Sequence, residues 1–289
     1  MAQKKNDYII PLAIIGMMFF IVGFALGINS YIVPLLQGAL NVSSGQSYLL
    51  LASTFAAFLL FSYPATALIT KVGYKKTMVL AFAIFAFRFL LFVPSAKMQG
   101  LPLFVIASFI CGIGNTVLQA AINPYATYLG PIDTAARRIS IMGICNIIAW
   151  PASPMFLAWL IGKNLDEMVL SDIIFPFYVL TAIFVLLGIL VWVSPLKEMA
   201  FGEQEEETED TSEADGKTSI FQFPHLILGA IALFMYVGVE TVAMASSVDY
   251  AASLSLPDPE QYAFVPSIGM ILGYIFGIIM IPKYLSQSG

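Results

Sequence analysis

Charge is what this sequence has least of. Asp, Glu, Lys and Arg together make up 11% of its 289 residues, against about 25% in an ordinary soluble domain. Histidine occurs once, as His225, and cysteine twice, as Cys111 and Cys145. So few histidines and cysteines exclude the usual zinc sites, and no metal centre is expected. Both cysteines lie inside apolar runs and read as small buried hydrophobes, not as a disulfide framework. The phosphate-cradling pattern G-x-x-x-x-G-K followed by Ser or Thr is missing, as are the G-x-S-x-G elbow and the dinucleotide fingerprint. No basic patch suits nucleic acid. These gaps point away from ATP-driven work and from the common enzyme chemistries. The chain is read as no enzyme, with no catalytic residues and no organic cofactor.

What the sequence has instead is apolar length. Hydrophobic residues make up 59% of it, and the mean hydropathy is +0.87. A run of about 20 apolar residues crosses a bilayer core as a helix. Eight such runs are predicted, near 10–37, 47–70, 77–96, 101–126, 138–162, 173–195, 222–247 and 262–282. The first exceeds the bilayer requirement, so it is expected to tilt or to leave the membrane at one end. Lys4 and Lys5 resemble the start of a signal peptide. The run behind them is too long for one and lacks a small-residue cleavage site, so it is kept as the first span.

Orientation follows from the loops. With the N-terminus in the cytoplasm, inner segments carry Lys4, Lys5, Lys71, Lys75, Lys76, Arg137, Arg138, Lys197, Lys217 and Lys283, and outer loops carry only Lys97 and Lys163. That asymmetry is the positive-inside pattern. Nine of the 18 acidic residues fall between Glu198 and Asp215. This polar stretch cannot bury apolar surface and reads as a disordered cytoplasmic linker. The expected organisation is a six-helix bundle over 1–196, a linker over 197–220, and two further helices over 221–289.

Several segments resemble the fucose permease and glucose/galactose permease branch of the major facilitator transporters. They are Asn29-Ser-Tyr-Ile-Val-Pro34, Lys71-Val-Gly-Tyr-Lys-Lys76, Asn123-Pro-Tyr-Ala-Thr-Tyr-Leu-Gly-Pro131 with Ala135-Ala-Arg-Arg138, and Tyr236-Val-Gly-Val-Glu-Thr241. The resemblance implies an all-α fold of two six-helix halves, here a complete N-terminal bundle and the first two helices of the second. It implies sugar transport by alternating access. It also implies that the four remaining helices of the fold are missing. The permeases of this branch that couple sugar to protons carry an Asp in the first span and a Glu in the fourth. The matching positions hold Ser30 and Gln119, which carry no proton near neutral pH.

Polar residues inside spans are costly unless they face a cavity or a partner. Asn115, Gln119 and Asn123 are spaced i, i+4, i+8 and share one helix face. They either line a sugar pathway or join helices through amide contacts worth about 0.6 kcal/mol each. Asn29 and Ser30 lie in the first span, and Asn146 and Trp150 in the fifth, where Pro151 and Pro154 are expected to bend the helix. Glu240 is the one carboxylate well inside a span and is the candidate for ion coupling. Arg88 is expected to face the bundle and to meet Glu240, a carbonyl or a water-filled cavity.

The expectation is a multi-pass protein of a bacterial inner membrane that moves a small neutral sugar. Gln119, Asn123, Asn29, Asn146 and Trp150 would bind it, with Ser30, Asn115 and Arg88 as further candidates. Sodium or protons would be the possible coupling ions, at Glu240. The alternatives are a truncated fragment that does not transport and a membrane sensor that binds sugar without moving it.

Overall fold

In a bilayer every backbone N–H and C=O must be satisfied within the segment, so apolar runs of this length become helices. The structure, a computed structural model, describes residues 9–130, 134–163, 168–198, 222–257, 262 and 264–284. Among them eight long helices form: α1 (Ile9–Leu40), α2 (Leu49–Val72), α3 (Tyr74–Met98), α4 (Leu101–Tyr128), α5 (Ala135–Ile161), α6 (Ile174–Val193), α7 (Pro224–Ser253) and α8 (Phe264–Tyr284), with one helical turn at Ser44–Ser47. Length and composition suit seven of them to crossing a membrane, and α8 contributes a shorter apolar helix, Phe264–Met280. They fall on the eight expected spans. Lys4, Lys5 and Lys217, and the acidic stretch from residue 199 to 221, lie outside the described residues.

One connection is a single residue. Gly73 alone joins α2 to α3 at φ +85°, a conformation that a side chain rarely tolerates. At the turn between α4 and α5, Arg138 is 5% exposed and closes α4. Its Nε donates to the Ala126 carbonyl at 3.1 Å and its Nη2 to the Thr127 carbonyl at 2.7 Å. A cation on the last carbonyls of a helix satisfies orphan acceptors and complements the helix dipole. Arg138 was readable from sequence only as a cytoplasmic charge.

The chain divides into two compact units, one comprising Met1–Phe201 with Gly273–Gly289 and the other Gly202–Leu272. In the first unit α1 packs along α5, α2 along α4, and α3 against both α4 and α6. Glycines set the first two packings. A Cβ at Gly23 would strike the Asn146 carbonyl, and one at Gly27 would strike the Trp150 carbonyl and Ser153 Oγ. A Cβ at Gly112 would strike the Thr54 carbonyl. Small residues allow such close approach between membrane helices. The packing of α3 on α6 is aromatic. Phe82, Phe85, Phe89 and Phe92 repeat along one face of α3 and meet Phe177 and Phe184 of α6, with Phe89–Phe184 centroids 4.9 Å apart and Phe92–Phe177 centroids 5.0 Å apart.

Pro151 and Pro154 lie within α5. Proline has no N–H, so Pro154 leaves the Trp150 carbonyl without its helical donor. Ser153 Oγ supplies one at 2.9 Å.

In the second unit α7 presents much of its apolar surface outward. Phe234 is 75% exposed and Val239 74%. Ser267 of α8 lies 3.8 Å from the Met244 sulfur of α7.

Candidate functional site

The polar residues singled out in α1, α3, α4 and α5 separate into two groups. The first is enclosed. Asn29, Thr54, Arg88, Ser108 and Asn115 are all fully buried, at 0% exposure. Asn29 sits at the centre. Its Nδ2 donates to Thr54 Oγ1 at 2.8 Å, and its Oδ1 accepts from Ser108 Oγ at 2.8 Å and from Arg88 Nη2 at 3.2 Å. The Thr54 hydroxyl in turn faces the carbonyls of Leu50 and Ser108. Four helices therefore meet at one amide.

Arg88 faces the bundle, as expected, and it meets carbonyl and amide oxygens. Besides Asn29, its Nη1 lies 3.5 Å from the Ala25 carbonyl. Its guanidinium carbon stands 4.5 Å from the Phe89 ring centre and 4.9 Å from that of Phe92. Arginine over aromatic faces is a favourable contact for a desolvated cation. The Cys111 thiol approaches the same Ala25 carbonyl at 3.9 Å. Asn115 Nδ2 donates to the Cys111 carbonyl at 3.2 Å and points at its sulfur at 3.4 Å. Three enclosed atoms here have no partner among the described residues: Ser30 Oγ, Arg88 Nε and Asn115 Oδ1.

The second group keeps hydrogen-bonding capacity in reserve. Gln119 is half-buried and Asn123 exposed, and neither amide makes a hydrogen bond among the described residues. On α5, Asn146 is half-buried; its Nδ2 donates to the Phe19 carbonyl at 3.0 Å, and its Oδ1 stays unengaged among the described residues. Trp150 follows one turn later, also half-buried, with its indole N–H unpaired among the same residues. The backbone of this turn rests on Gly23 and Gly27 of α1, which fixes where Asn146 and Trp150 project.

The predicted stripe on α4 thus changes character along its length. Asn115 is walled in, Gln119 is intermediate, and Asn123 is open. Asn29, read as a sugar ligand from sequence, is placed inside the bundle with its oxygen doubly engaged. Ser30 is half-buried with its hydroxyl enclosed. Thr54, Ser108, Gly23 and Gly27 do not stand out by residue type alone. The signal for the glycines was present as Gly23-Phe-Ala-Leu-Gly27, a small-xxx-small pattern.

Glu240 belongs to α7. It is half-buried and accepts a hydrogen bond from Tyr236 one helical turn earlier. Outside the spans, Lys163 and Asp172 form a 2.8 Å ion pair. The Lys163 hydrogen bond, and then the Val169 N–H, hold the Asp172 carboxyl below its usual range. No group of three or more metal-ligating side chains occurs among the described residues.

Residues 15–286 match the sequence profile of the Major Facilitator Superfamily. A glucose/galactose transporter of Brucella abortus biovar 1 (strain 9-941) is 29% identical over 295 residues, covering 99% of this chain and 68% of that relative. An L-fucose-proton symporter of Escherichia coli (strain K12) is 23% identical over 269 residues, covering 86% of this chain and 61% of that relative. Among solved structures, the Major Facilitator Superfamily transporter FucP in the outward conformation aligns with a TM-score of 0.72 at 22% identity, over 94% of this chain and 70% of that one.

Proposed function

The chain belongs to the Major Facilitator Superfamily, and we propose that it serves secondary transport of a neutral monosaccharide of the glucose, galactose or fucose kind. The observation that carries this reading is the reserve of neutral hydrogen-bonding groups at Gln119, Asn123, Asn146 and Trp150. A sugar offers hydroxyls that both give and accept hydrogen bonds, and amides do the same. The indole of Trp150 adds an apolar face for the sugar ring and one N–H donor. The names of the relatives agree with a sugar cargo. Asn29 then acts behind this surface by tying α1 to α4 through Ser108, with Ser30 and Asn115 enclosed beside it.

Transport would proceed by alternating access around a site near the midplane. Glu240 is the proposed coupling site, for a sodium ion or a proton, since an intramembrane carboxylate is functional by default. The membrane would be a bacterial inner membrane, with the N-terminus on the cytoplasmic side.

The test is uptake of labelled glucose, galactose and fucose by vesicles holding the inserted chain, with a sodium gradient, a proton gradient or neither. Saturable uptake of one of these sugars is expected. Gln119→Ala should lower it about 10- to 100-fold, the effect of losing one or two hydrogen bonds to substrate, with unchanged insertion. Glu240→Gln should abolish any dependence on a cation gradient. No uptake by well-inserted protein would overturn the reading, and saturable binding without movement would make it a sensor.

A further inference from the structure

Arg88 is the only charged side chain deep within the spans of the first six helices, and α1 to α6 contain no Asp or Glu at all. The guanidinium is fully buried, and arginine keeps its proton in proteins. Its neighbours are dipoles and rings: Asn29 Oδ1, the Ala25 carbonyl, Phe89 and Phe92. These stabilise the cation and leave its net charge uncancelled among the described residues. Burial away from water also leaves it largely unscreened by salt.

Along α4 that charge lies about two helical turns from Gln119 of the proposed sugar surface. Arg88 and Cys111 both reach the Ala25 carbonyl. Gln119 follows Cys111 on the same helix by eight residues, about 12 Å of α-helix at 1.5 Å per residue. From this placement we infer that Arg88 is a specificity-determining residue that sets the charge preference of the pathway, disfavouring cationic sugars. It does so through space, without touching the substrate. At an effective dielectric of about 20, a unit charge acting over about 12 Å changes binding of a monovalent ligand roughly tenfold. Neutral sugars do not feel this charge, and cationic amino sugars bind about tenfold more weakly. The inference rests on the sugar-transport reading above.

The experiment is competition against labelled galactose uptake, with galactosamine and 2-deoxygalactose as the competitors; glucose and its analogues replace them if glucose is the sugar carried. Galactosamine is cationic near neutral pH, and 2-deoxygalactose reports the loss of the C2 hydroxyl alone. In the wild-type chain galactosamine should compete about tenfold more weakly than 2-deoxygalactose. Arg88→Lys, which keeps the charge, should preserve that gap. Arg88→Gln, which keeps hydrogen-bonding groups for Asn29, should close it. A purely structural Arg88 would instead weaken all sugars alike and leave the gap intact in Arg88→Gln, overturning the inference. Equal competition by the two analogues in the wild type would overturn it as well, even if Arg88→Gln fails to insert. In both cases galactose uptake would still support transport. Absence of any sugar uptake by inserted wild-type protein would sink the transport reading together with the inference.

Discussion

One helix carries two kinds of polar residue. Towards its N-terminal end, α4 presents Ser108 and Asn115, both fully buried, one of them engaged with α1 through Asn29. Further along it presents Gln119 and Asn123, with their amides unpaired among the described residues. The residue types are alike, and so is the apolar surrounding sequence. What differs is spare hydrogen-bonding capacity. A polar side chain in a span is a candidate ligand group only when its partners within the protein leave donors or acceptors over. The enclosed group spends its hydrogen bonds inside the bundle, and the open group, in the proposed reading, keeps its own for a substrate.

The sharpest way to break this contrast is to truncate one amide from each group. Asn29→Ala would strand Arg88 Nη2 and Ser108 Oγ inside the bundle, while the Thr54 hydroxyl keeps its carbonyl acceptors. Each orphaned group costs about 1–3 kcal/mol, more where a charge is involved. Asn29→Ala should therefore lower the stability of the detergent-solubilised protein by about 3 kcal/mol, read as a fall in melting temperature and in inserted protein. Asn123→Ala should leave the melting temperature unchanged and reduce sugar uptake instead. Equal stability losses in the two variants would erase the distinction between the enclosed and the open group.

A smaller effect is expected where α1 meets α5. Gly27→Val places side-chain atoms where Ser153 Oγ and the Trp150 carbonyl already lie. Overpacking of this kind costs about 2 kcal/mol, and it pushes α1 away from the turn that carries Asn146 and Trp150. The variant should show both a lower melting temperature and weaker apparent affinity for sugar. An unchanged affinity would mean that the packing of α1 on α5 does not position those side chains.

The helices were legible because each apolar run is long, bounded, and consistent with a charge asymmetry across the loops. The stripe on α4 was legible because helical spacing is fixed. Its division was not, because burial of Asn115 against exposure of Asn123 depends on which helices lie beside each end of α4. Asn29 shows the same limit. From sequence it was one more amide in the first span, and only the approach of α3 and α4 reveals that its oxygen is taken. Arg88 could be turned inward from sequence because no route to water was convenient. Its partners could not be named, since carbonyl acceptors such as that of Ala25 leave no trace in residue identity. Arg138, counted from sequence as a cytoplasmic charge, is a nearly buried cap on α4, a role that residue identity does not reveal.

The loop between α5 and α6 offers the mildest test of the same principle, because there water competes for every polar group. Lys163 and Asp172 pair at 2.8 Å, with side chains 45% and 17% exposed. Asp172 Oδ2 also accepts the Val169 N–H at 3.1 Å and so closes the turn before α6. Its carboxyl is held below the usual range, first by the Lys163 hydrogen bond. A depressed carboxylate contributes stability that is complete above its unfolded value, about pH 4, and that is lost as pH falls through the lower folded value. Exposed pairs contribute little, about 0.5 kcal/mol. Asp172→Asn should therefore lower the melting temperature only slightly at neutral pH. It should also remove the part of the wild-type decline that sets in below about pH 4. A loss as large as that expected for Asn29→Ala would show that the loop pair is no ordinary solvated contact, and that exposure to water is not what separates weak polar groups from strong ones in this chain.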